Sequence, residues 1–106
     1  MSVVENDKID GIATSDDGKT LIILLSDHLD FENENNHLLI LQEKINAYLS
    51  FIQSEQYSDI YPDMNFENII IEIHFKYKIT DNCKKFIDVV NSQVEVLNTK
   101  CIVAEG

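Results

Sequence analysis

The sequence predicts an α+β fold: a two-layer sandwich in ββαβαβ order, with a four-stranded mixed sheet and two helices on one face. Three observations carry this expectation. Thr20 to Ser26 and Asn68 to Tyr77 have strand patterning, whereas His37 to about Ser54 and Thr80 to Leu97 repeat their apolar residues every three or four positions. Each helical segment lies between two strands and is long enough to join them as parallel neighbours, and right-handed crossovers place both helices on one side.

The first two strands, Ile9 to Ser15 and Thr20 to Ser26, flank Asp16-Asp17-Gly18-Lys19, where Gly18 supplies the positive φ of a tight hairpin connection. The second strand is apolar on both alternating faces and reads as central; the first, with Gly11 and Ala13, reads as an edge. In the first helix Leu38, Leu41, Ile45, Tyr48, Leu49 and Ile52 form the apolar face, and Asn33, Asn35 and Asn36 are candidate N-caps. A loop from Tyr57 to Phe66 holds the only proline and five large apolar side chains. The third strand alternates Ile69, Ile71, Ile73, Phe75 and Tyr77 with Ile70, Glu72, His74 and Lys76. Thr80 is a candidate cap for the second helix, whose stripe is Cys83, Phe86, Ile87, Val90, Val94 and Leu97; Lys100 to Ala104 form the last strand.

This order leaves one face of the second strand, with Ile22 and Leu24, without a covering helix. The Tyr57–Phe66 loop folding back is the preferred cover; a second copy in a two-fold dimer is the other.

All of this fits one domain over residues 1–106, with 1–8 a weakly ordered tail lacking any signal-peptide pattern. The longest unbroken apolar run, Leu21 to Leu25, falls far short of the ~20 residues needed to span a bilayer, so no membrane partner is expected and a cytoplasmic location is. There Cys83 and Cys101 are expected as thiols, and their spacing matches no CxxC motif.

Eight Lys plus Arg against nineteen Asp plus Glu give a formal net charge of -11. Such a surface repels a phosphate backbone, which argues against direct nucleic-acid binding, and suits a basic protein partner.

The residue types able to do chemistry concentrate in the junction from Ser26 to His37, which supplies Asp27, His28, Asp30, Glu32, Glu34 and His37. Two imidazoles and a carboxylate can hold a transition metal, but the spacing here is irregular. Side-chain to backbone turns by Asp27 and Asp30, core plugs at Leu29 and Phe31 and a negative helix start account for the same residues. An EF-hand fails because Asn35 stands where a glycine is needed and Leu41 where a bidentate Glu is needed. Glu72, His74 and Lys76 form a second polar cluster on one sheet face. With three glycines there is no phosphate-cradling loop, and no cofactor or metal is expected.

The run His37-Leu38-Leu39-Ile40-Leu41-Gln42-Glu43-Lys44-Ile45-Asn46-Ala47-Tyr48-Leu49 after Ser26-Asp27-His28-Leu29-Asp30 resembles a family of small acidic bacterial proteins known as a domain of unknown function. Ile9-Asp10-Gly11-Ile12, Tyr61-Pro62-Asp63 and Ile71-Glu72-Ile73-His74-Phe75-Lys76-Tyr77 add to the likeness, which spans about Ile9 to Val103. It implies a bacterial, intracellular domain and brings no activity with it. The expected function is a non-enzymatic protein-binding or accessory module acting through an acidic surface, centred on the junction. The rivals are a small metal-dependent or acid-base enzyme using His28, Asp30 and His37, and a homo-oligomerising module.

Overall fold

The computed structural model describes residues 9–105; the tail expected over 1–8 lies outside the described residues. An antiparallel hairpin of β1 (Gly11–Thr14) and β2 (Thr20–Asp27) opens the fold. Helix α1 (Glu34–Gln53) leads to β3 (Asn68–Phe75), and α2 (Asp81–Val94) leads to β4 (Thr99–Glu105). Both crossovers deliver parallel pairs, giving a mixed sheet in the order β1-β2-β3-β4. This is the predicted α+β architecture.

Local chemistry sets the boundaries. In the hairpin Gly18 takes φ 71°, while Asp17 Oδ1 accepts from the Ser15 hydroxyl at 2.6 Å and from the Lys19 N–H at 3.0 Å. Those two bonds, the hydroxyl first, hold the Asp17 carboxyl below its ordinary value. The Asn33 side chain accepts from the Asn36 N–H at 3.2 Å and Thr80 from the Cys83 N–H at 3.1 Å, so both helices start at a side-chain cap. Because Asn33 is the cap, α1 begins at Glu34, three residues before the apolar period becomes visible at His37.

The core lies between sheet and helices. Leu21, Ile23 and Leu25 stand in register with Ile69, Ile71 and Ile73, all buried against Leu41, Ile45, Tyr48 and Ile52 of α1 and Cys83, Ile87, Val90 and Val94 of α2. Each such aliphatic side chain contributes about 1.5–3 kcal/mol relative to exposure. β4 is an edge strand, and Asn91 of α2 occupies its free side: Asn91 Nδ2 donates to the Cys101 carbonyl at 3.1 Å and the Cys101 N–H donates to Asn91 Oδ1 at 2.7 Å. That pair of bonds blunts an edge that is otherwise a template for another strand.

The Tyr57–Phe66 loop does not take the position expected of it. Tyr57 packs on Phe51 of α1 with ring centroids 6.4 Å apart, and Phe66 meets Tyr57 and Tyr61 edge-on at 5.9 Å. These rings join the helix-side core. They are drawn there because the C-terminal turn of α1 presents Phe51 and Ile52 to them, whereas Ile22, Leu24, Ile70 and Ile102 remain half-buried on the other face, outside the core cluster. Tyr77 also departs from expectation: it lies past the end of β3 and is exposed.

Candidate functional site

At the exit of β2, the last inward-facing position is Asp27, placed by strand alternation directly after Leu21, Ile23 and Leu25. A carboxylate buried there needs partners. His37 Nε2 lies 2.5 Å from Asp27 Oδ2, and Asp27 Oδ1 accepts from the Leu29 N–H at 3.0 Å. His37 Nδ1 lies 2.8 Å from the Asp30 carbonyl oxygen. A carbonyl only accepts, so Nδ1 carries a proton, and the Nε2 to Oδ2 contact holds one further proton between imidazole and carboxyl. Phe31 stacks on the His37 ring at 4.2 Å and completes the enclosure. Both polar side chains are buried and both ring nitrogens are engaged, so His37 offers no lone pair to a metal and no surface to a partner.

The other junction residues separate from this pair. His28 and Asp30 are exposed on either side of Leu29, and Asp30 Oδ1 accepts from the Glu32 N–H at 3.1 Å, forming an Asx turn. Glu34 reaches across to α2, where Asn82 Nδ2 donates to it at 2.7 Å; that bond first, and one from Thr80 second, hold its carboxyl below the ordinary value. Among the described residues, no three His, Cys, Asp or Glu side chains are grouped so as to hold a metal ion. His28, Asp30 and His37 thus do not assemble the centre that a metal-dependent enzyme requires.

The structure instead brings His28 to the second polar cluster. Ser26 and His74 are in register across β2 and β3, and with Asp27, His28, Phe75 and Lys76 they line a depression of about 350 Å³ at the carboxyl ends of these parallel strands. His74 Nε2 donates to Glu72 Oε1 at 2.7 Å. The Lys76 N–H donates to the Asp27 carbonyl at 2.9 Å, which fixes the two strand ends against each other.

Lys44, Tyr48 and Asp10 form a third polar group, which the sequence reading missed. The Asp10 N–H donates to the Tyr48 hydroxyl at 2.9 Å, and that hydroxyl donates to the Leu24 carbonyl at 2.6 Å, bridging β2 to the residue before β1. Asp10 Oδ2 accepts from the Ser26 N–H at 2.8 Å, and Oδ1 lies 3.2 Å from the fully buried Lys44 ammonium. Burial is the main reason the Tyr48 phenol is pushed up in pKa. Lysine is almost never fully buried without a partner, and Lys44 falls on the stripe between Leu41 and Tyr48. That position was the available signal. The network fastens α1 to the hairpin through side chains that are themselves buried.

Cys83 and Cys101 are free thiols in the core. Burial, with the Asp27 and Glu34 charges adding to it, pushes Cys83 up to about 12, and burial pushes Cys101 up to about 11. Neither is a nucleophile near neutral pH.

The carboxylates are sorted by edge. At the amino ends of the parallel strands lie the hairpin turn, the α1–β3 loop and the α2–β4 turn, joined by bonds from the Glu67 and Asn68 N–H groups to the Lys19 carbonyl and from Ile69 N–H to the Asn98 carbonyl. This edge exposes Asp16, Asp17, Glu55, Asp59, Asp63, Glu67 and Glu95, against Lys19 and Lys100. At the carboxyl ends Asp30, Glu32, Glu34 and Asp81 are balanced by Lys76, Lys78, Lys84 and Lys85. The negative pole of the described residues is therefore opposite the junction.

Comparison places the chain without giving it an activity. No curated protein and no solved structure matches it. A family model does match, over residues 1–104, in agreement with the resemblance carried by the junction and β3. The chain belongs to DUF6572, a family of unknown function.

Proposed function

We propose that this chain is a non-enzymatic protein-binding or accessory module, bacterial and cytoplasmic, whose acidic pole meets a basic protein. The observation that carries this is the concentration of exposed carboxylates at the amino ends of the strands, from Asp16 and Asp17 through Asp59, Asp63 and Glu67 to Glu95. Like charges gathered on one edge repel one another, so the arrangement is useful where an opposite potential arrives; complementary fields also speed encounter and reject wrong partners. The buried thiols suit a reducing compartment.

The test is capture of a basic protein by the wild-type chain at low and at high salt, beside two charge-reversed variants. Asp59→Lys with Asp63→Lys alters the acidic pole; Asp30→Lys with Glu32→Lys alters the junction. Retention lost at high salt and slowed about tenfold in association by the first variant alone supports the proposal. Retention reduced only by the junction variant moves the surface back to Asp30 and Glu32, and no salt-sensitive retention at all overturns the proposal.

The sheet face away from the helices, where four aliphatic side chains flank Glu72 and Lys100, favours a second reading. Ile22, Leu24, Ile70 and Ile102 lie on the side away from both helices and from the Tyr57–Phe66 loop, a disposition that suits burial against the same face of a second copy.

A further inference from the structure

We propose that the depression at the carboxyl ends of β2 and β3 binds a small phosphate-type oxyanion, held by His28, His74 and Lys76. Its volume of about 350 Å³ is near the lower end of small-molecule sites. It opens outside the carboxyl ends of the parallel pair β2 and β3, where the side chains of the two strand exits converge.

Charge supplies the independent argument. In a chain with a formal net charge of -11, a surface cation has many carboxylates available to it. Lys76 takes none among the described residues: its ammonium lies over the Tyr77 ring at 5.6 Å, and the ion pairs of the described residues are made by His37, Lys44 and His74. His28 is exposed and makes no side-chain hydrogen bond among the described residues. Two groups that can carry positive charge therefore line one depression with no carboxylate in contact with them among the described residues, Asp30 being engaged in its own turn with the Glu32 N–H.

The carboxylates nearby do not cancel them. Asp27 is turned inward, where His37 and the Leu29 N–H occupy its oxygens. Glu72 is held by His74 Nε2, which orients that ring and leaves Nδ1 for a ligand. The bond from Lys76 N–H to the Asp27 carbonyl fixes the spacing of the strand ends that carry Lys76 and His28. Lysine and histidine in a shallow site act as point charges and donors, and the several oxygens of a tetrahedral oxyanion can accept from His28, His74 and Lys76 together, where the two coplanar oxygens of acetate reach fewer of them.

The experiment is a titration of the full chain with inorganic phosphate near pH 6, about where free imidazole is protonated, following the histidine ring signals by NMR. Acetate and chloride at matched ionic strength serve as controls. The expected result is a saturable shift of His28 and His74 together, with His37 unmoved and acetate much weaker. Lys76→Met and His28→Ala, both at exposed positions, should each weaken phosphate binding about tenfold while leaving the thermal midpoint unchanged. Shifts that never saturate, an equal response to acetate, or unchanged affinity in the double variant overturn the assignment.

Discussion

His37 shows how one residue can look like a ligand and act as a fastening. Its two nitrogens are taken by Asp27 and by the Asp30 carbonyl, so removing the ring leaves a buried carboxylate with one donor. His37→Ala should cost about 3–5 kcal/mol, the range for breaking a buried pair from one side. Asp27→Asn should cost only about 1 kcal/mol, because the amide oxygen still accepts from Leu29 and the amide nitrogen can donate to Nε2 of a ring protonated at Nδ1. Urea denaturation of both variants checks this, and equal losses would show that the pair is not held by its shared proton. Part of this was legible: the side-chain turns at Asp27 and Asp30 and the plugs Leu29 and Phe31 follow from residue type. The pairing was not, because it joins a strand end to a helix ten positions later.

At the scale of elements, the α2 and β4 faces that enclose the two cysteines make stability depend on pH. Cys83 is raised from 9.0 to about 12 and Cys101 from 9.0 to about 11, each chiefly by burial. The unfolded chain loses these protons near 9.0 while the folded chain keeps them, so the stabilisation is full below that value and is lost as pH rises from it toward 11 and 12. Tyr48, raised from 10.0 by burial on α1, contributes with the same sign. The denaturation midpoint should therefore fall through the alkaline range. Cys83→Ala with Cys101→Ala should lower the midpoint at neutral pH and flatten its alkaline slope; an unchanged slope would show that the thiols ionise in the folded chain. The elements themselves were readable from periodicity, β2 and β3 by alternation and α2 by its stripe and Thr80 cap. Where the loop rings go was not, since an aromatic run is compatible with any apolar surface within reach.

For the whole molecule, charge and apolar surface are distributed in opposition. Carboxylates crowd the amino ends of the strands, acidic and basic groups are matched in number at the carboxyl ends, and the half-buried isoleucines and leucine occupy the face away from the helices. A face that pairs two copies predicts a species of twice 12.2 kDa by size-exclusion chromatography with light scattering at micromolar concentration. Ile70→Lys, between Ile22 and Lys100 in register on that face, should return it to one copy by putting a second charge beside Lys100 where an apolar side chain would otherwise be buried. A strict monomer in the wild-type chain ends the dimer reading.

The sequence by itself determined the element order, the Thr80 cap and the Gly18 turn, which depend on residues within a few positions of one another, and, through the handedness of crossovers, the mixed sheet with both helices on one face. It also fixed the sign of the net charge. Among Asn33, Asn35 and Asn36 the structure selects Asn33 as the first cap. Only the tertiary structure decided that Asp27 meets His37, that Lys44 is buried with Asp10 and Tyr48, that His28 joins His74, and that the acidic edge lies opposite the junction. Each of these joins side chains distant in the chain. Local propensity does not specify such pairs; strand register, helix rotation and the need to satisfy buried polar groups do.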